Sequence, residues 1–81
     1  MIIQILGTGC ARCAALTENT KQAVRELAID AEIVKVTEIK DIMQFKILVT
    51  PGLAIDGQVK TAGRVPTTEE IKALLVGKGE D

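Results

Sequence analysis

Met1–Cys13 reads MIIQILGTGCARC, and this stretch decides the fold. Its first six residues are apolar apart from Gln4 and rich in isoleucine, the composition of a short strand buried on both faces. Gly7-Thr8-Gly9 then reads as a turn whose glycines let the backbone bend sharply. Cys10-Ala11-Arg12-Cys13 opens a stretch of helical periodicity that lasts to about Ala28. Two thiols at this spacing on the first turn of a helix can close into a disulfide. The unpaired N–H groups and dipole of the helix start favour the thiolate of Cys10. The chain has no other cysteine and no histidine, so any thiol or metal chemistry has to be done here.

Outward from the motif, an apolar stripe of Cys13, Leu16, Thr20, Val24 and Leu27 recurs in steps of three and four. Glu18, Lys21, Gln22, Arg25 and Glu26 form the opposite face. This phasing makes the two sulfurs unequal: Cys13 falls on the buried stripe, and Cys10 sits at the tip before the stripe begins. Ala31–Val36 reads as a second strand, so strand, helix and strand make a parallel βαβ unit with a right-handed crossover. Thr37 is the expected cap of a short helix over Glu38–Phe45, with Ile39, Ile42 and Met43 facing inward. Ile47–Thr50 leads to Pro51.

Gly52–Ile55 and Gln58–Ala62 flank Asp56-Gly57, a strong hairpin signal. Gly63–Pro66 is a connection, and Thr67 with Glu70 matches a capping box. The helix it opens places Ile71, Leu74 and Leu75 inside and stops at Gly77, with residues 78–81 as a flexible tail beyond a single domain of residues 1–77. The expected order is β-α-β-α-β-β-α. The fold class is α/β: a four-stranded mixed sheet, with strands one and two parallel, three and four antiparallel, and helices on both faces.

Composition narrows the function. Eighty-one residues, 47% apolar and 26% charged, make one ordinary globular domain with a modest core. Ten basic and eleven acidic residues give a net charge of −1 with no basic tract, which argues against nucleic acid as a partner. Phe45 is the single aromatic residue, so base stacking and aromatic cages are excluded. No secretory signal is visible, and no apolar run nears the roughly 18 residues of a membrane span. The expected location is cytoplasmic, where a CxxC means redox cycling or metal binding more often than a structural disulfide.

Three readings of the motif compete. In thiol–disulfide exchange, Cys10 attacks a substrate disulfide and the shielded Cys13 resolves the mixed disulfide. In metal binding, two soft thiolates hold Cu(I), or half a zinc site completed by another molecule. In the bland reading the two are inert buried cysteines. Gly7-Thr8-Gly9 lacks the lysine and remaining glycines of a phosphate loop and is read as a tight turn.

The chain resembles the thioredoxin superfamily in its minimal, glutaredoxin-sized form, and within it the small thioredoxin/glutaredoxin-like redox proteins. The resemblance rests on Cys10-Ala-Arg-Cys13 after strand one and on Val49-Thr50-Pro51 directly before the hairpin. It implies a thiol–disulfide oxidoreductase with Cys10 as nucleophile and Cys13 as resolving thiol. No bound cofactor is implied beyond a redox-active Cys10–Cys13 disulfide, and no metal. It also implies that Pro51 is cis, packed beside the disulfide, and that the backbone of Thr50 pairs with an extended substrate. The implied partners are disulfide-containing proteins and a reductase of thioredoxin-reductase type, or else glutathione, with the chain acting as a monomer.

Departures from the pattern are specific. Gln4 stands where typical thioredoxins have a buried carboxylate that helps proton transfer at the resolving thiol, and Lys35 looks like the lysine that accompanies it. Ala11-Arg12 replaces the Pro-Tyr of glutaredoxins, and Gly63-Arg64 replaces their glutathione-binding patch. Arg12, Gln4 and Lys35 are therefore the candidate modulators of the thiols. The competing resemblance is to ferredoxin-like heavy-metal-binding domains, which also carry a CxxC after strand one. Those have Met where this chain has Thr8, end in a strand rather than in a helix like Thr67–Val76, and lack a counterpart to Thr50-Pro51.

Overall fold

The computed structural model describes residues 1–8, 11–47 and 49–76. Seven elements follow in the expected order: β1 (Ile2–Leu6), α1 (Ala11–Leu27), β2 (Glu32–Val36), α2 (Ile39–Met43), β3 (Gly52–Ile55), β4 (Gln58–Ala62) and α3 (Thr68–Leu75). The sheet order is β2-β1-β3-β4. β1 pairs parallel with β2 and antiparallel with β3, and β3 pairs antiparallel with β4 through an irregularity at Leu53/Ala54. The strand that leads into the cysteine motif is thus an interior one, held on both sides. Gly77 and residues 78–81 lie outside the described residues, as do Gly9, Cys10 and Leu48.

Strand alternation sorts the core into two layers. Ile3 and Ile5 point to one face with their partners Ile55 and Leu53, where Leu16 and Ala23 of α1 and Ile71 and Leu75 of α3 cover them. Leu6 and Ala54 point to the other face, where Ile42 of α2 covers them, with Val36, Phe45 and Ile47 packed around. Helices lie on both faces. The hairpin turns at Asp56 (φ 50°) and Gly57 (φ 86°), both left-handed, as a two-residue turn matched to strand twist requires. Asp56 also ties the hairpin to β1: its Oδ1 accepts from the Ile2 N–H and its own N–H donates to the Ile2 carbonyl, both at 2.8 Å.

Two elements depart from expectation. The second helix is short, and its N-cap is Glu38, with no side-chain cap bond, rather than Thr37. Ile39 and Met43 are each 65% exposed, so Ile42 alone of the three faces inward. The reason is geometric: five residues make little more than one turn, and one turn offers the sheet about one position. On α1 the buried set is Cys13, Leu16, Thr17, Thr20 and Ala23, while Val24 and Leu27 are only partly buried. Thr17 and Thr20 can enter the core because each hydroxyl donates back to the carbonyl one turn earlier, Cys13 (2.9 Å) and Leu16 (2.8 Å).

The capping box forms as read. Thr67 Oγ1 accepts from the Glu70 N–H (3.2 Å) and Glu70 Oε1 from the Thr67 N–H (3.0 Å), satisfying two donors that a helix start leaves open. α1 ends without glycine. Ala28 takes φ 53°, with its N–H donating to the Arg25 carbonyl and that of Ile29 to Val24, the two bonds of a Schellman cap.

Candidate active site

β1 delivers the chain to the cysteine motif, and α1 carries Cys13 inward near its start. Cys10 lies outside the described residues. Cys13 is buried at 6% exposure, and its sulfur lies directly against the backbone of Gly7. A Cβ at position 7 would overlap Cys13 Sγ, and it would also stand 3.9 Å from the Cα of Pro51. Gly7 is therefore more than the turn residue that the sequence indicates. It is the gap through which Cys13 and Pro51 approach the same point of the backbone.

The Thr50–Pro51 peptide bond is cis, and Pro51 is fully buried. Its carbonyl accepts from the Gly63 N–H at 2.8 Å, which joins the start of β3 to the end of β4. Gly63 has φ 83°, and a Cβ there would come within 2.6 Å of Val49 Cγ2. The left-handed backbone and the close approach each call for glycine. Arg12 reaches the same residue from α1: its Nη2 donates to the Gly63 carbonyl at 2.5 Å. Arg12 is exposed, yet its side chain is engaged with a carbonyl on the opposite loop.

A cavity of about 110 Å³ opens beside Cys13, walled also by Gly7, Thr17, Lys35 and Thr37. Lys35 is exposed on β2, the edge strand, and pairs with Ile5 in register. Of the candidate modulators it is the one that shares a cavity with Cys13. Gln4 sits elsewhere. It is partly buried, pairs with Ala54, and by strand alternation points with Leu6 to the α2 side of the sheet, away from α1. Among the described residues, no group of three or more His, Cys, Asp or Glu side chains could hold a metal ion, and no helix is long and apolar enough to cross a membrane.

Sequence reasoning missed Gly7, Gly63 and Thr17 at this site. A glycine that permits close approach has the same appearance in a sequence as one that permits a bend. Thr17 was hidden by its polar type, since the bond that satisfies its hydroxyl is not visible in the stripe. The ferredoxin-like alternative differs in architecture, because the last described element here is α3 rather than a strand.

A four-stranded mixed sheet with a buried Cys13 near the start of its first helix and a proline loop beside it is the small form of the thioredoxin fold. The family model described as a thioredoxin domain matches residues 1–76. A protein named thioredoxin from Methanothermobacter thermautotrophicus is 51% identical over 75 residues, covering 93% of this chain and 97% of its own length. A second, from Methanocaldococcus jannaschii, is 50% identical over 75 residues, covering 93% of this chain and 86% of its own. The chain belongs to the thioredoxin family, and its class of activity is thiol–disulfide oxidoreduction.

Proposed function

We propose that the chain reduces protein or small-molecule disulfides by a two-thiol cycle centred on Cys10 and Cys13. Cys10, as thiolate, attacks one sulfur of the substrate disulfide, forming a mixed disulfide and releasing the first substrate thiolate. Cys13 loses its proton and attacks the Cys10 sulfur, which releases the second substrate thiolate and leaves a Cys10–Cys13 disulfide. Two electrons have passed to the substrate. A reductase of thioredoxin-reductase type restores the dithiol, the incomplete glutathione patch at Gly63-Arg64 making glutathione the weaker candidate. The protein works in the cytoplasm as a monomer and needs no bound cofactor or metal for the cycle.

One observation carries the reading: Cys13 is buried against Gly7, with Pro51 beside the same point. A sheltered second thiol suits a group that attacks only its neighbour and not the solvent. The backbone at Thr50, ahead of Pro51, is the edge against which an extended substrate docks. Lys35 modulates Cys13 through the cavity they share, Arg12 acts at the helix start, and Gln4 takes a non-titrating structural place at the sheet.

Variants of the two cysteines test the cycle with insulin as substrate. Cys10→Ser abolishes turnover. Cys13→Ser keeps the first attack and accumulates a mixed disulfide, visible by mass spectrometry as substrate attached to Cys10. Equal loss in both variants with no trapped adduct would overturn the assignment of roles. Stoichiometric Cu(I) binding by a protein that shows no exchange would favour a soft-metal carrier built on the same two thiolates.

A further inference from the structure

The Arg12 side chain crosses from the first turn of α1 to the connection after β4, spanning 51 positions of sequence. Its target, Gly63, is bonded at both ends: the carbonyl accepts from Arg12 and the N–H donates to the Pro51 carbonyl. The far end of the same connection is also held from α1, where Asn19 Nδ2 donates to the Pro66 carbonyl at 3.0 Å. Helix α1 thus grips residues 63–66 at two points about two turns apart. Two hydrogen bonds therefore link the cysteine helix to the proline loop, Arg12 to Gly63 and Gly63 to Pro51.

A guanidinium committed to a carbonyl is placed for geometry. Its charge remains, and one of its N–H donors is held by the Gly63 carbonyl. Gly63 in turn has little freedom, because Val49 fills the space a side chain would need. We infer that Arg12 is a positioning residue for substrate docking: through Gly63 it holds the Thr50–Pro51 backbone in register with the start of α1. The inference rests on the docking role proposed above for Thr50 and Pro51. It predicts that extended disulfide substrates, which need that backbone, depend on Arg12 more than the chemistry at Cys10 does.

Arg12→Met removes the donor and keeps the length of the apolar stem. With a disulfide-bonded peptide as substrate, KM rises about five- to tenfold, the scale of one ordinary hydrogen bond, and kcat holds within about twofold. Arg12→Lys, which keeps the charge but not the guanidinium fork, leaves the pH profile for alkylation of Cys10 by iodoacetamide in place and does not restore KM. Amide exchange at Gly63, which needs no turnover, accelerates because its bond to the Pro51 carbonyl is no longer braced. An unchanged Gly63 exchange rate overturns the inference even in a protein that proves inactive. An unchanged KM in an active protein overturns it too, and so does a KM rise that Arg12→Lys reverses while the alkylation profile shifts, since that pattern assigns Arg12 to charge alone. Wild-type protein that turns over no disulfide removes the functional reading, and the exchange measurement then still decides whether Arg12 braces the loop.

Discussion

At the scale of single residues, the site is built by what is missing. Gly7 has no side chain, and into that gap fits the sulfur of Cys13. Gly7→Ala would press a methyl group onto Cys13 Sγ with Pro51 close behind, so neither neighbour gives way easily. We expect the substitution to cost about 1–3 kcal/mol in urea unfolding, the range for overpacking a filled site. The same variant should slow resolution of the mixed disulfide, measured as adduct lifetime in rapid quench. Wild-type stability in Gly7→Ala would mean that Cys13 does not pack where the structure puts it. In the sequence Gly7 is legible as glycine but not as a contact, because the contact depends on a residue that returns from the next element.

At the scale of elements, caps and lengths govern what each helix contributes. α1 ends at Ala28 in a left-handed conformation that ordinarily selects glycine. Ala28→Gly should therefore stabilise the fold, by about 0.5–1 kcal/mol, since relief of the Cβ clash outweighs the added freedom of the unfolded chain. Chemical denaturation measures this directly, and a loss of stability would contradict the Schellman geometry. The start of α3 was readable to the residue, because the Thr67–Glu70 box is a local device whose donors and acceptors lie within one turn. α2 was not. Its apolar residues Ile39 and Met43 lie exposed, and only packing of Ile42 against Leu6 and Ala54 determines which side meets the sheet.

At the scale of the molecule, helices α1 and α3 are bound by their apolar faces and by charge at the rim. Lys72 of α3 meets Glu26 of α1 at 2.8 Å and Glu69 at 3.3 Å. The bond from Lys72, aided by Gln22, holds Glu26 below its usual 4.5, and the pair with Glu26, then Glu69, holds Lys72 above its usual 10.5. Glu70 is likewise lowered from 4.5, first by the Thr67 N–H and then by Arg64. The signs follow from linkage. The two carboxylates add stability above their ordinary value and lose it as pH falls through their lowered ones, whereas Lys72 adds stability below its ordinary value and loses it as pH rises through its raised one. Thermal unfolding should thus show a plateau between about pH 5 and pH 9, a decline in acid and a smaller one in strong base. Glu26→Gln should flatten part of both limbs; an unchanged profile would mean that the interhelix pair does not couple to folding. These groups face solvent, so the effect is modest beside the core.

The order of elements, the two-residue hairpin turn and the burial of Cys13 were legible in the amino-acid sequence. Each of these follows from short-range chemistry: apolar period, the Asp56-Gly57 turn, the capping box, and the phase of Cys13 on its helix. Tertiary structure alone decided which glycines are contacts, how far α2 extends, and that Lys35 rather than Gln4 shares a cavity with Cys13. It also turned Arg12 toward Gly63. Those outcomes depend on residues brought together from opposite ends of the chain, and a linear pattern carries no record of distance between them.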